Sequence, residues 1–289
     1  MKIEEIHRVK ERTVRIRPTL TFLLFLLQIS VISLNSTQAE PIDRKLPDRL
    51  NRYFISHLLT NGKNIFTSPA SWDKNDWLKA GVSAIATAAF LPADGSIHTW
   101  VRNDISETTE ATAKVLSAAG APVILLGVIS AGYLYGELAD EPGLRQTLLL
   151  AGESLLLTEI IVQMGKISIG RARPYNEEGV LSFHPFTFKE KWHSLPSGHA
   201  ASAWAVFSCL ASRSQSPYLD VLLYSAAAGV SLSRVLLDRH YASDVLASSL
   251  LGYFIGKKLS SPGKKSENKP ALALIINHNI IALSLNFSY

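Results

Sequence analysis

A histidine and an aspartate in the last quarter of the chain lie one helical turn apart. His240 and Asp244 are separated by four positions, so a helix would place both on one face. A carboxylate in that position can bind one imidazole nitrogen and leave the other free as a nucleophile. Arg234 precedes them and carries a planar guanidinium that suits phosphate oxygens. The cluster indicates either nucleophilic catalysis on a phosphate or a structural ion-pair network.

A second histidine follows a turn sequence at the start of an apolar run. Pro196 fixes the approach of the chain, Ser197 can cap the helix, and Gly198 lets a bound group come close to the backbone. The free N–H groups of the first turn form an anion site. His199 stands in that turn and can donate a proton to a bound group. The stretch is predicted either to bind an anion or only to cap a core helix.

Two further cations come before this turn. Lys166 and Arg173 are seven residues apart, so a continuous helix would place them on one face, two turns apart. Pro174 would then end the helix. The spacing predicts two cations directed at one place, whereas the positively charged flank of a membrane helix would need no fixed spacing.

Together the three clusters read K-x6-RP, PSGH and SR-x5-H-x3-D, and eleven fixed positions occur in that order. This pattern resembles the type 2 phosphatidic acid phosphatase family, whose superfamily also contains bacterial acid phosphatases and vanadium haloperoxidases. The resemblance covers residues from about 78 to 257. It implies an all-α helical bundle and phosphoryl-transfer chemistry.

The resemblance also implies a role for each matching residue. His240 would attack phosphorus to give a phosphohistidine, Asp244 would orient it, and His199 would protonate the departing alcohol and later activate water. The groups expected to hold the phosphoryl oxygens are Lys166, Arg173, Arg234, the hydroxyl of Ser197 and the amide of Gly198. No metal and no cofactor is expected.

Other polar residues receive no catalytic role. Arg171 is expected either to add to the phosphate field or to be a loop charge, and Asp238 is expected at the surface. Glu159 is expected to form a buried ion pair that positions its helix, or to face the same groove. The remaining histidines are expected in the N-terminal segment (His7), far from the motifs (His57, His98, His278) or in the loop before PSGH, solvated or touching substrate (His184, His193).

Six apolar segments must position these clusters, and alanine, leucine and glycine dominate them. Few β-branched alternations occur, so the segments predict helices and the fold class all-α, a six-helix bundle. The predicted segments are 78–92, 115–136, 147–165, 199–212, 219–237 and 242–257. Only 115–136 approaches the ~20 apolar residues of a bilayer span, so both a membrane-embedded and a soluble bundle are considered, with the membrane-embedded one favoured.

Four regions are predicted along the chain. Residues 1–39 form a signal peptide or signal anchor, because a basic start is followed by an apolar stretch and small residues. Residues 40–77 form a polar lead-in, 78–257 the phosphatase helical domain, and 258–289 a basic linker with a C-terminal β-hairpin. These features predict a bacterial-type cell envelope protein, in the inner membrane with a periplasm-facing site or in the soluble periplasm. Four lysines favour the outward-facing site because they place the end of the last helix in the cytoplasm: Lys257, Lys258, Lys264 and Lys265.

The composition narrows the class of partner. Of the 289 residues, 47% are hydrophobic and 18% charged, and the mean hydropathy is +0.15. The net charge of +5 is concentrated near the N-terminus, and no basic, aromatic-studded face follows, so no nucleic-acid partner is predicted. A lone cysteine, Cys209, excludes an internal disulfide.

The leading hypothesis is a phosphatase acting on a phosphate monoester or diphosphate of a lipid, with the membrane as its setting. The nearest alternative is a soluble non-specific acid phosphatase. A vanadium-dependent haloperoxidase is a weaker one, because nothing marks a dedicated halide pocket. A non-catalytic lipid- or phosphate-binding protein is disfavoured, since anion binding alone needs neither the nucleophile nor the acid. The oligomeric state is not predicted.

Overall fold

The computed structural model describes residues 46–214 and 216–260 in full, together with the backbone of two C-terminal strands. The described part contains eight α-helices and three short 3-10 turns. The helices are α1 (Arg52–Thr67), α2 (Lys74–Asp104), α3 (Glu107–Ala119), α4 (Pro122–Leu138), α5 (Pro142–Ile169), α6 (Gly198–Arg213), α7 (Pro217–Leu236) and α8 (Ala242–Ser260). The strands are β1 (Ala271–Asn277) and β2 (Ile280–Asn286). The predicted all-α class of the main domain is confirmed.

Local sequence signals set the helix boundaries. The Asp73 side chain accepts hydrogen bonds from two backbone N–H groups at the start of α2, and Ser106 caps α3 in the same way. Proline occupies the first position of α4, α5 and α7, where its missing N–H is not needed. Gly170 ends α5 with a φ of 63°, and a Cβ at this position would lie 1.8 Å from the carbonyl oxygen of His184.

The described residues hold eight helices where six were predicted. Residues 115–136 do not form one helix: α3 ends at Ala119, α4 begins at Pro122, and their axes differ by 51°. Gly120 explains the position of the break, because a Cβ there would lie 2.1 Å from a methyl group of Val230 on α7. The other additional helix is α1, which lies in the region predicted as a polar lead-in.

Helix α6 occupies the centre of the bundle and packs against α4, α5, α7 and α8. Two glycines of α8 permit the closest approach: a Cβ on Gly252 or Gly256 would lie 2.1 or 2.3 Å from the carbonyl oxygens of Ala201 and Ala205 on α6. The indole N–H of Trp204 donates to Ser231 Oγ at 2.9 Å, which fixes α6 against α7. Helix α6, whose first turn carries His199, therefore holds α8, which carries Asp244 in its first turn, and α7, which carries Arg234 in its last turn.

Four helix ends and one turn of α2 converge at one end of the bundle. Asp94, in the second half of α2, accepts hydrogen bonds from Ser243 at the start of α8. The backbone N–H of Ser197, just before α6, donates to Ser248 of α8 at 2.6 Å. The C-terminal ends of α5 and α7 carry Lys166 and Arg234 to the same end. This convergence brings the three predicted clusters together.

Three described helices are long and apolar enough to cross a membrane, namely α2, α5 and α7. The bent pair α3 and α4 makes a fourth if it crosses as one broken span. These helices support a membrane protein. The predicted signal segment, residues 1–39, lies outside the described residues. In the C-terminal region β1 and β2 pair antiparallel with Ala271 opposite Asn286; the packing of this hairpin on the helices stays a prediction.

Candidate active site

His240 lies in the short segment between α7 and α8, and it is 3% exposed. Its Nδ1 lies 2.6 Å from the carbonyl oxygen of Ser194, to which it donates a hydrogen bond. A carbonyl oxygen can only accept, so the bond fixes the proton of the neutral ring on Nδ1 and leaves the lone pair on Nε2. Burial, and then the cations Arg234, Arg173 and Lys166, hold the pKa of His240 well below its usual value. The ring is thus neutral and suited to nucleophilic attack.

Asp244 does not bind the imidazole of His240 as the spacing predicted. Its Oδ2 accepts from the Ser194 hydroxyl at 2.5 Å and from the backbone N–H of Tyr241 at 3.0 Å. Its Oδ1 accepts from Arg171 at 2.5 Å. The reason is the position of Asp244 in the first turn of α8, where a carboxylate reaches back to the N–H that opens the helix. Asp244 reaches the nucleophile through Ser194.

Arg171 is a buried centre of this network and not a loop charge. Its guanidinium, 1% exposed, donates to Asp94 at 2.8 Å and to Asp244. Further donors reach Ser243 Oγ and the carbonyl oxygen of Val180, and the guanidinium lies 4.4 Å from the centroid of the Tyr241 ring. Two carboxylates on different helices are needed to stabilise one buried guanidinium, and these partners are more than seventy positions away in sequence. Sequence spacing gave no signal for them.

His199 lies in the first turn of α6, as predicted. Burial lowers its pKa to about 3, with added repulsion from Arg234, Lys166 and Arg173. The same three cations act on His240. Both imidazoles therefore lie within the field of one cluster of positive charge, and both are neutral while that charge is uncompensated.

The cations surround the start of α6. A Cβ on Gly198 would lie 3.4 Å from the Lys166 ammonium nitrogen, so glycine at this position leaves room beside that cation. Arg173 follows α5, is 7% exposed, and uses its Nε to donate to the carbonyl oxygen of Glu190 at 3.1 Å. Arg234 donates through Nη1 to Ser117 on α3. The predicted phosphate-binding side chains are thus brought to one place.

Two buried polar atoms of this cluster have no hydrogen-bond partner among the described residues: Ser197 Oγ and Arg234 Nε. Ser197 is fully buried, and its hydroxyl does not cap α6, so the expectation of a side-chain cap is wrong. Buried donors without partners are costly unless a ligand satisfies them. Here they lie beside Lys166 and the first-turn N–H groups of α6, which together form a site suited to a tetrahedral anion.

Glu159 lies on the same side of α5 as Lys166. A Cβ on Gly198 would lie 3.4 Å from its Oε1, and Ser202 of α6 donates to that oxygen at 2.5 Å. Glu159 therefore ties α5 to α6 directly below the cation cluster. Its carboxylate also offsets part of the positive charge that Lys166 brings to a buried position.

His98 lies nearer the motifs than the sequence predicted, whereas His184 and His193 lie in the predicted loop and contact other loop residues. His98 of α2, expected far from the motifs, has its Nε2 3.2 Å from Oδ1 of Asp238, two residues before the nucleophile. His184 stacks on Trp192 with ring centroids 4.0 Å apart and pairs with Glu178. His193 Nε2 donates to the carbonyl oxygen of Thr187 at 3.0 Å. The last two stabilise the loop between α5 and α6.

Within the described residues, no group of three or more histidine, cysteine, aspartate or glutamate side chains is arranged to hold a metal ion.

Comparison with known proteins agrees with the motif pattern. Residues 147–261 match the PAP2 superfamily, and this segment contains all eight predicted site residues. The resemblance inferred from the motifs is confirmed for this segment.

The chain is also similar to two lipid A 1-phosphatases. It is 32% identical over 101 residues to that of Rhizobium johnstonii, covering 34% of this chain and 41% of the relative. It is 35% identical over 99 residues to that of Porphyromonas gingivalis, covering 34% of this chain and 19% of the relative. The matches span less than half of these relatives. A solved transmembrane PAP2 type phosphatidylglycerolphosphate phosphatase from Bacillus subtilis is 20% identical, with a TM-score of 0.44 over 62% of this chain and 90% of that chain.

Proposed function

Because residues 147–261 match the PAP2 superfamily, we propose that the protein is a phosphatase that hydrolyses a phosphate monoester or diphosphate of a lipid. The observation that carries the proposal is the hydrogen bond from His240 Nδ1 to Ser194, which leaves Nε2 as a nucleophile in the field of three cations. A protein that only binds anions would not need His240 in this form, because a buried neutral imidazole adds no positive charge to the three cations.

The first proposed step transfers the phosphoryl group to His240. Nε2 attacks phosphorus, the P–N bond forms, and the P–O bond to the alcohol breaks. Lys166, Arg173 and Arg234, with the two orphaned donors, stabilise the charge on the equatorial oxygens. Burial and the three cations depress the pKa of His199, and a bound phosphate anion compensates the cations. His199 then takes a proton from the bound phosphate monoanion or from solvent and gives it to the leaving oxygen.

The second proposed step restores the enzyme. Neutral His199 takes a proton from water, the water oxygen attacks phosphorus, and the P–N bond breaks to release inorganic phosphate. His240 regains its lone pair on Nε2, and Nδ1 keeps its proton on the Ser194 carbonyl throughout. No step is assigned to a metal ion or a cofactor, so the residues of the chain account for both proton transfers.

We assign a lipid as the substrate for two reasons. The site lies at the end of helices long and apolar enough to cross a membrane, and the relatives are named as phosphatases of lipid A. We also propose an inner-membrane location with the site facing the periplasm; it is supported by Lys257 and Lys258 in the last turn of α8, at the end of that helix away from the site. The lysine end would face the cytoplasm and the site the opposite side.

The proposal is tested with the purified full chain in detergent. We expect inorganic phosphate to be released from lipid phosphates such as phosphatidic acid, phosphatidylglycerophosphate, a polyprenyl diphosphate or lipid A. Enzyme quenched in alkaline denaturant should carry a phosphoryl label that is stable in base and lost on later treatment with acid. The variant His240→Asn should lose both phosphate release and the phosphoryl label. The control His184→Asn changes a loop histidine and should keep both. Label retained in His240→Asn would reject the assigned nucleophile. Absence of hydrolysis on every phosphate ester would reject the function.

A further inference from the structure

The loop between α5 and α6 exposes two large aromatic side chains beside the site. Phe186 is 80% exposed and Phe188 is 82% exposed, and we refer to this pair as the phenylalanine shelf. Exposing a phenylalanine in water gives up about 1.5–3 kcal/mol of burial free energy, so a pair of them marks a surface made for an apolar environment.

The shelf is exposed because its backbone is fixed. The N–H of Thr187, between the two phenylalanines, donates to the carbonyl oxygen of Ile167 at 3.2 Å, and its own carbonyl accepts from His193. The N–H of His184 donates to the carbonyl oxygen of Gly170 at 2.7 Å. These bonds hold the loop against the last turn of α5, and Phe186 and Phe188 flank Thr187, whose backbone is fixed.

The attachment point sets the depth of the shelf in a membrane. Helix α5 is a candidate span, and its 28 residues exceed the ~20 that cross the hydrocarbon, so we place its last turn, with the carbonyl oxygen of Ile167, at the headgroup level. Below it, an exposed stripe runs along one face of α5 at four-residue spacing, through Leu156, Ile160 and Met164. The shelf continues this stripe at the level where aromatic side chains anchor membrane proteins.

Charge next to the shelf is mixed, because Glu190, whose side chain is 78% exposed, stands between Lys189 and Lys191. The ammonium nitrogens of Lys189 and Lys191 lie 4.9 and 4.6 Å from the centroid of the Trp192 ring, and Lys191 also pairs with Glu178. Lysine side chains beside an indole at the end of an apolar helix are typical of the headgroup region of a membrane protein. Lipid is a better occupant than a protein partner, because acyl chains can cover the apolar stripe of α5 while the headgroups meet the loop at its end.

We propose that the phenylalanine shelf inserts into the boundary layer of a lipid bilayer and presents the phosphate site to lipid substrates lying in that layer. This inference rests on the proposed function for its catalytic readout and on the candidate span for its geometry. The shelf would select lipid substrates over water-soluble phosphate esters, because a water-soluble ester can reach the cation cluster without it.

The catalytic test compares two substrates on the full chain in vesicles that contain anionic lipid. The double variant F186S/F188S should lose about 10-fold or more in kcat/KM on a long-chain lipid phosphate, through KM, while p-nitrophenyl phosphate stays within about twofold of wild type. Tyr218→Ser is the matched control, since Tyr218 is 85% exposed at the start of α7, the end opposite the site, and should change neither substrate. Equal losses on both substrates would overturn the inference.

A second measurement needs no activity. The single native cysteine, Cys209, is fully buried, so a spin label on Phe188→Cys reports one site. We expect this label to be accessible to oxygen and shielded from a polar relaxation agent in vesicles, and a label on Glu177→Cys in the same loop to be exposed to the polar agent. A water-exposed label at 188, or a label shielded only by association of two copies, would overturn the shelf. If insertion is seen while no ester is hydrolysed, the proposed function fails and the membrane contact stands.

Discussion

The carbonyl oxygen of Ser194 lies 2.6 Å from Nδ1 of His240, across 46 positions of sequence. The hydroxyl of the same serine donates to Asp244 at 2.5 Å. One residue of the loop therefore connects the nucleophile to the carboxylate that the motif pairs with it. The proton on Nδ1 is held by a backbone group, which no side-chain substitution removes directly.

Asp244→Asn is expected to lower kcat by about 10-fold to 100-fold with little change in KM, because the carboxylate acts by positioning Ser194 and not by touching the ring. Were the carboxylate bound to His240 itself, the loss would approach the roughly 10⁴-fold known for a wrong imidazole tautomer.

Ser194→Ala supplies the control for that prediction. It removes the hydroxyl and keeps the carbonyl, so it should reproduce part of the Asp244→Asn loss. Steady-state kinetics on one soluble ester measure both variants. Full activity in Ser194→Ala combined with a 10⁴-fold loss in Asp244→Asn would contradict the indirect link.

Arg171→Lys is expected to destabilise the protein strongly, although it keeps the charge. A lysine cannot reach Asp94, Asp244 and the Val180 carbonyl at once, and leaving a buried carboxylate without its partner costs about 3–5 kcal/mol. Thermal unfolding in detergent measures the change. Arg49→Lys is the matched control, because the Arg49–Glu137 pair is 58% and 41% exposed and should contribute no more than about 1 kcal/mol. Equal shifts in the two variants would contradict the buried network.

The residues of the site could be predicted because each motif lies within a few turns of one helix end. Local spacing therefore located Lys166, His199 and His240 without any knowledge of the fold. The contact between Asp244 and Arg171 could not be found in this way, because it joins α8 to the loop after α5, 73 positions away. The i to i+4 spacing of His240 and Asp244 suggested a direct bond, but helix α8 begins only at Ala242, so the two residues do not share a helix.

The number of helices also depended on a tertiary contact that local sequence patterns cannot reveal. Hydropathy detected the apolar stretch 115–136 but not its break, since Ala-Pro at 121–122 is compatible with either a kink or a new helix. The structure adds that Val230 on α7 leaves no room for a side chain at position 120, a contact that only the tertiary structure supplies.

Gly252→Ala is expected to destabilise the bundle. The added Cβ would lie 2.1 Å from the Ala201 carbonyl oxygen, which belongs to the rigid backbone of α6. Overpacking of this kind costs about 1–3 kcal/mol or more, and the displaced helix carries His199. Gly127→Ala on α4 is the control, because its Cβ would meet nothing within 4 Å and alanine favours a helix by about 0.5–1 kcal/mol. The measurement is the unfolding temperature of each variant in the same detergent. An unchanged unfolding temperature in Gly252→Ala would contradict the close α6–α8 packing.

The pH dependence of kcat/KM is expected to report the cation cluster. Burial and three cations hold the pKa of His240 well below its usual value, so the neutral nucleophile persists as the pH falls through 6.5, the ordinary value for histidine. Removing one cation with Arg173→Gln weakens the repulsion felt by the imidazolium. The folded pKa should then rise, and the acidic limb of the profile should move to higher pH. Both enzymes are measured on the same ester, so that ionisation of the substrate cancels in the comparison. An acidic limb that stays in place, or that moves to lower pH, would show that Arg173 lies outside the field of the nucleophile.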